Sequence, residues 1–491
     1  MRRWWWTLLA LSSGLLLLAG GLLWTSTRLP DPLVPPEAGG LLHDVTLVVP
    51  GVGRATHRSV AIEGDRIARI APAIRGGGAY RGAFAFPGLV DAHVHFPALG
   101  LADEVPLHAF LYLAHGVTTV RNLGEARGGA SGRAKDAIRA GIFAGPRILR
   151  CGPFIDGGGS TRPDPIVATT AEQGAAAVDR VVADGFDCVN VGDELTPEVL
   201  RSVVRAADEA RIPLVGRVPW RVDWSEAGLD DAQDLRGVPA PPEDGSPPTA
   251  PRVWWRGFSR IDNTRVTERA GEALWQDMAV TPALVAQSQR LMGRDTAAFP
   301  SRPELALLPP WDGRALWPPG PGASAIRRVP TDDRERLDRA FEHMRFVVRR
   351  FAESGVRVHT GTDSGAPGIV PGEALHEELR LFVAAGLSAE QALAASMVAT
   401  AEAMEVAGLG RLAPGAPADL VLFARDPTED LANLDTIVAV VSQGRIYPRA
   451  VLDAQLRRYR ERYADFGTNV IAPAIARVAL RFLPFDRPAG D

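Results

Sequence analysis

The chain has 491 residues, enough to bury a large core and to hold more than one structural unit. With 46% hydrophobic and 23% charged residues it is neither disordered nor low in complexity, and a formal net charge of -4 leaves no basic footprint for nucleic acid. Two cysteines, Cys151 and Cys188, are too few for a disulfide framework and read as buried thiols, so the core must supply the stability.

Behind Met1-Arg2-Arg3, the run from Trp4 to Trp24 carries no charge, and the next charged residue is Arg28. This is the length that crosses a bilayer, and it exceeds the apolar core of a typical signal peptide. Tryptophans at both ends suit the two interfaces, and the leading arginines favour an N-terminus on the cytoplasmic side. Residues 1–28 are therefore expected to form an N-terminal transmembrane helix, with a removed signal peptide as the alternative. The protein would then be membrane-anchored, its body extracytoplasmic (periplasmic or extracellular), with the Pro-rich residues 29–40 as spacer.

Residues 41–86 alternate apolar and polar in short runs broken by Gly and Asp, and residues 407–449 repeat the pattern. The two flanks are expected to pair as one small composite β-sandwich. Between them, short apolar strands such as "HGVTTVRNLG", "DGFDCVNVGD" and "SGVRVHTGTDSG" alternate with Ala- and Arg-rich helical stretches. Such βα units predict an α/β fold, a distorted (β/α)8 TIM barrel over residues 87–406, with its chemistry at the C-terminal ends of the strands. Residues 237–330 break the rhythm with Pro, Gly and Trp254, Trp255, Trp311 and Trp317, and read as long insertions around one barrel strand. Their tryptophans either line a cleft or pack the insert on the barrel. The tail, residues 450–491, reads as helical, lying on a membrane or docking on the body.

The densest chemistry lies in "FPGLVDAHVHF", residues 86–96. His93 and His95, spaced i, i+2 at a strand end, point the same way and make half of a Zn2+ site. Asp91 is out of phase with them and reads as a structural acceptor. His108, His115, His359 and His376 read as core or helix residues. "DGGGSTRPDP" follows the third strand at the catalytic end, which makes Ser160 and Arg162 candidates for substrate contact.

Together with "GVTTVRNLG", "HTGTDSG", "PGEALHEELRLFVAAGLSAEQALAASMVATAEAMEVAGLGRLAPGAPADLVLF" and "DLANLDTIVAVVSQGRIY", this stretch resembles the amidohydrolase superfamily, especially its imidazolonepropionase and prolidase-like branch. The resemblance spans about residues 40 to 450. It implies a distorted barrel with a composite β-sandwich, and hydrolysis of C–N bonds in amides, cyclic amides or dipeptides by metal-activated water. It also implies that His93, His95 and Asp363 hold one metal, with Asp363 in addition as the catalytic proton carrier. A carboxylated Lys on the fourth strand and one His on each of the fifth and sixth would hold a second. At those positions this chain has Asn190, Arg217 and Asp234. Composition supports the same conclusion, since Lys135 is the only lysine and no histidine occurs between His115 and His343. The second-metal site is degenerate, and Arg217 and Asp234 are expected to form an ion pair in its place.

The leading expectation is a hydrolase acting on the amide or cyclic amide bond of a small molecule with one divalent ion, Zn2+ first and Fe2+ second. The alternative is a catalytically inactive relative that binds a ligand in the same pocket at the membrane. Small-molecule substrate and membrane are the expected partners, and nucleic acid is not.

Overall fold

The computed structural model describes residues 20–73, 78–97, 102–125, 129–162, 164–239, 251–292, 302–312, 331–366 and 368–479. The chain first lays down β1 (Gly40–Val49), β2 (Gly53–Glu63), β3 (Arg66–Pro72) and β4 (Phe84–Pro87). It then enters a run of parallel strands: β5 (Leu89–Val94), β6 (Val117–Asn122), β7 (Arg147–Asp156), with the short β8 (Ile166–Val167) paired to the end of β7, β9 (Cys188–Val191), β10 (Leu214–Gly216), β11 (Asp231–Gln233) and β12 (Ala279–Thr281). It returns with β13 (Leu420–Phe423), β14 (Ile437–Ser442) and β15 (Arg445–Pro448).

The parallel strands form one sheet in the order β12-β11-β10-β9-β7-β6-β5. The segment around residues 357–364 nearly closes it into a barrel. Val280 N donates to Arg357 O on one side, and Ala92 N donates to Thr360 O on the other, both at 2.9 Å. This eighth segment bridges its neighbours at Val358 and Ser364 without forming a regular strand. All six residues of β5 and of β6 are buried, as parallel strands covered on both faces must be. The helices between strands start on side-chain caps where the sequence supplies them, Thr170 accepting from Gln173 N and Thr196 from Val199 N.

Strands from both flanks combine in a second, seven-stranded sheet of order β15-β14-β13-β4-β1-β2-β3. The expected pairing of the chain's two ends is thus present, as one continuous mixed sheet. Leu42, Val60, Ile62, Leu420, Leu422 and Val441 lie in a core of its own, separate from the barrel core.

Two expectations change, and the tail takes one of the two courses expected of it. The membrane anchor and the extracytoplasmic location built on it are not supported: among the described residues no helix is long and apolar enough to cross a membrane. Residues 1–19 lie outside the described residues, and the helix at 20–27 ends against the protein. Its Ser26 carbonyl accepts from Thr468 Oγ1 at 3.1 Å, and the Arg28 carbonyl accepts from Arg462 Nε at 2.7 Å. The tail docks on the body, with Ala472 and Ala476 packed on Trp311. Finally, Cys151 and Cys188 are joined as a disulfide, since the register of β7 and β9 places them directly opposite each other, 4.4 Å apart at Cα.

Within the insert, β12 is flanked by the helices Pro251–Ser259, Asn263–Trp275 and Leu284–Met292. Trp254 and Trp255 are buried in the barrel's core, Trp311 is buried against the tail, and Trp317 lies outside the described residues.

Candidate metal centre and substrate pocket

His93 ends β5 and His95 lies just beyond it, so the pleat turns both rings toward the barrel mouth. Asp363 reaches them from the closing segment, whose backbone is bonded to the same strand: Asp363 N donates to His93 O, and His95 N donates to Ser364 O, both at 2.8 Å. Two glycines permit this approach. A Cβ on Gly361 would lie 2.7 Å from the His93 Cβ, and one on Gly365 would lie 2.2 Å from the His95 carbonyl oxygen. Asp363 itself has φ +58°, an uncommon conformation for a side-chain-bearing residue, of the kind that concentrates at functional sites.

The Asp363 Oδ1 atom lies 3.0 Å from His95 Nε2 and 3.6 Å from His93 Nε2. One donor atom from each of the three residues falls within 4.8 Å of the others. Two imidazoles and a carboxylate converging in this way fit one divalent ion with a coordination position left open. The other carboxylate oxygen, Oδ2, accepts from Arg290 Nη2 at 3.3 Å. Burial pushes the Asp363 carboxyl up, but the His95 hydrogen bond and the charges of His93, His95 and Arg290 outweigh it and hold the group below the ordinary range. Burial lowers the His93 imidazole against the pull of Asp234 and Asp363, which favours the neutral, metal-ligating form.

The opposite wall does not fit a second ion. Arg217, just past β10, donates from Nε to Asp234 Oδ2 at 2.6 Å and from Nη1 to Asp193 Oδ2 at 3.2 Å. Arg162 donates to the same Asp193 oxygen at 3.1 Å, and its guanidinium lies over the Phe154 ring, 4.5 Å from the centroid. Burial raises the Asp234 carboxyl, yet Arg217 foremost among its cationic neighbours holds it well below the usual range. A guanidinium has no lone pair to give a metal, and here it occupies the space and charges of the site.

The cavity between these walls holds about 280 Å3 counted out to its mouth, and His93, His95, Asp363, Arg162, Asn190 and Arg217 all line it. Asp234 stands behind Arg217. Ser160 is turned away, its hydroxyl donating to Asp156 Oδ2 at 2.6 Å. Gln233, Phe154 and Leu123 complete the lining. Sequence reasoning did not single these out, nor Asp193 and Arg290. Asp193 was recoverable from its place two residues past the end of β9, whereas Arg290 sits on a helix inside the Pro-rich insert. Asp91 accepts from the backbone N–H groups of His93 and Thr362, at 3.2 and 3.1 Å, and pins β5 to the closing segment. His359 pairs with Asp231, and His376 with the His115 carbonyl, both inside the protein.

Residues 324–447 match the model of the amidohydrolase family. No curated protein sequence matches the chain. Among solved structures, a bottromycin amidohydrolase is 25% identical with a TM-score of 0.68, over 91% of this chain and 93% of its own. A putative prolidase from Bifidobacterium longum is 22% identical, TM-score 0.61, over 88% and 100%. A Xaa-Pro dipeptidase with bound methionine is 20% identical, TM-score 0.59, over 84% and 100%. The last two establish likeness of fold. The segment that matches the family model carries Asp363, and the architecture of the bottromycin amidohydrolase is shared along nine-tenths of this chain.

Proposed function

We propose that the protein hydrolyses a C–N bond, an amide or cyclic amide, in a small molecule, using a single divalent ion held by His93, His95 and Asp363. The convergence of those three side chains at the barrel mouth carries the reading. Zn2+ suits the donor set best, and Fe2+ is compatible with it. When bound, such an ion polarises the substrate carbonyl and makes water acidic enough to attack near neutral pH. Asp363 is placed to take the proton from the attacking water and return it to the leaving nitrogen, the general acid–base role that splits an amide. Arg290, on its Oδ2, fixes the carboxylate's orientation and keeps it charged. In this reading the Arg217–Asp234 pair substitutes for a second ion, balancing charge without occupying the catalytic face.

The self-paired trio, with Asp363 bonded to both His95 and Arg290, favours a second reading in which the chain is an inactive relative that binds a ligand in the same cavity. Turnover of a panel of small amides and lactams before chelation, after chelation and after return of Zn2+ or Fe2+ separates the two. The hydrolase reading expects activity that is lost and restored with the ion, and that falls by at least about a hundredfold in Asp363→Asn. Turnover indifferent to chelator and to that substitution contradicts it. Absence of turnover with every ion leaves the binding reading.

A further inference from the structure

Asn190 is a residue of the cavity wall whose chemistry is not yet used. It lies on β9 with its side chain fully buried, 0% exposed, and lines the cavity opposite the trio. Neither its Oδ1 nor its Nδ2 has a hydrogen-bond partner among the described residues. A buried amide without partners forfeits the hydration of each group left unmet, so a site that keeps one gains only when something arrives to meet it. Interchanging the side chain's oxygen and nitrogen does not rescue it, because both positions lack a partner. The neighbouring Gln233 Oε1 is buried and unmet as well, while Leu123 and Phe154 give the same space apolar walls.

We propose that Asn190 reads the substrate: it pairs, through one donor and one acceptor, with a ligand that presents N–H and C=O on the same edge. The inference rests on the amide-hydrolase reading for what happens next, but the recognition itself needs no turnover. A carboxamide side chain carries its C=O and one N–H on a single edge of its plane. The complementary partner is a lactam, an imide or a primary carboxamide, which closes two antiparallel hydrogen bonds with it. An ordinary trans peptide bond sets its N–H and C=O on opposite edges and makes only one. A tertiary amide, such as one formed by a proline nitrogen, has no N–H and leaves the Asn190 acceptor buried and unmet. Sites that hydrogen-bond a substrate N–H reject analogues lacking it far more strongly than apolar pockets reject a missing methylene. Asn190 is therefore a specificity-determining residue that favours small cyclic or primary amides over linear peptides.

The test is binding of 2-pyrrolidinone and N-methyl-2-pyrrolidinone to the full-length protein, measured by ligand-observed NMR titration. Wild type, Asn190→Leu and Asn190→Asp are compared, with each variant's thermal unfolding as the check on folding. Wild type is expected to bind the N–H lactam roughly tenfold more tightly than its N-methyl analogue, a preference absent from Asn190→Leu and kept by Asn190→Asp, which still accepts the lactam N–H. Asn190→Leu is expected to unfold no earlier than wild type, because it removes two unmet polar atoms. Asn190→Asp keeps the shape and the acceptor but loses the donor to the lactam C=O, so it is expected to bind both lactams severalfold more weakly, and the proposal stays testable should Leu fail to fold. Equal binding of the two lactams by wild type, binding of neither, a preference that survives in Asn190→Leu, or undiminished binding of both lactams by Asn190→Asp would overturn the proposal. Metal content measured on the same samples separates the outcomes: no lactam preference in wild type that holds its metal defeats this inference alone, and a wild-type preference without metal defeats only the hydrolytic reading.

Discussion

Arg217 ties together the wall that faces the metal ligands, with Asp234 on one edge of its guanidinium and Asp193 on another. Both members of the Arg217–Asp234 pair are buried, at 6% and 1% side-chain exposure, so removing one strands a charge in the interior. Arg217→Met is expected to cost about 3–5 kcal/mol, and Arg217→Met with Asp234→Asn to regain most of it. Chemical denaturation of the two variants checks this, and equal losses in both would mean that the pair does not act as a unit. At this scale the metal trio is legible without a structure, because the spacing in "HVH" sets the direction of two rings and the resemblance supplies Asp363. The loss of the second site is legible too, since a chain whose only lysine is Lys135 cannot place another on β9. The wiring of the replacement is not. That Asp193 is shared by Arg162 and Arg217, and that Arg290 reaches Asp363, depends on which loops meet above the barrel, and no spacing along the chain encodes it.

Among the elements, the most consequential junction outside the pocket joins the start of the helix Val105–Ala114, the insert and the tail. There Glu104 and Asp312 are buried and hydrogen-bonded to each other, and the Trp311 indole N–H donates to Glu104 Oε1 at 2.7 Å. Asp103 and Tyr463 are the other titratable groups whose charges bear on the pair. Burial pushes Glu104 up to about 7, against the Trp311 and Asp312 hydrogen bonds, and pushes Asp312 well above its ordinary range with the Glu104 charge adding to it. The folded protein thus keeps protons that the unfolded chain releases above pH ~4.5. Stability from this junction is full at low pH and is lost as pH rises through about 7. Asp312→Asn supplies a permanent donor to Glu104 and should flatten the dependence. Thermal unfolding midpoints at pH 5 and pH 8 measure it: wild type is expected to fall more steeply than the variant, and parallel slopes would contradict the assignment. Element identity is legible where periodicity runs long, as in β1, β2 and the strands of the two flanks. It fades in β10, β11 and β12, each three residues long, and in the eighth barrel segment, which is held by isolated bridges.

For the molecule as a whole, contacts far apart in sequence decide what sequence patterns could not. The contacts of Arg462 and Thr468 with the carbonyls of residues 25–28 are invisible in the sequence until the fold brings the tail there. Two cysteines 37 residues apart read as separate thiols until β7 and β9 lie in register. The two flanks, expected to form a composite β-sandwich, pair in one seven-stranded mixed sheet, to which their matching alternation suits them. Under the proposed reading the barrel keeps one set of metal ligands and carries an ion pair in place of the other. The measurement that reaches it most directly is the divalent-metal content of the full-length protein after supplementation and removal of excess, for wild type and for His93→Ala/His95→Ala. About one ion per chain in wild type and none in the variant is the predicted result. Two ions per chain would contradict the replacement of the second site, and none would contradict the metal centre itself.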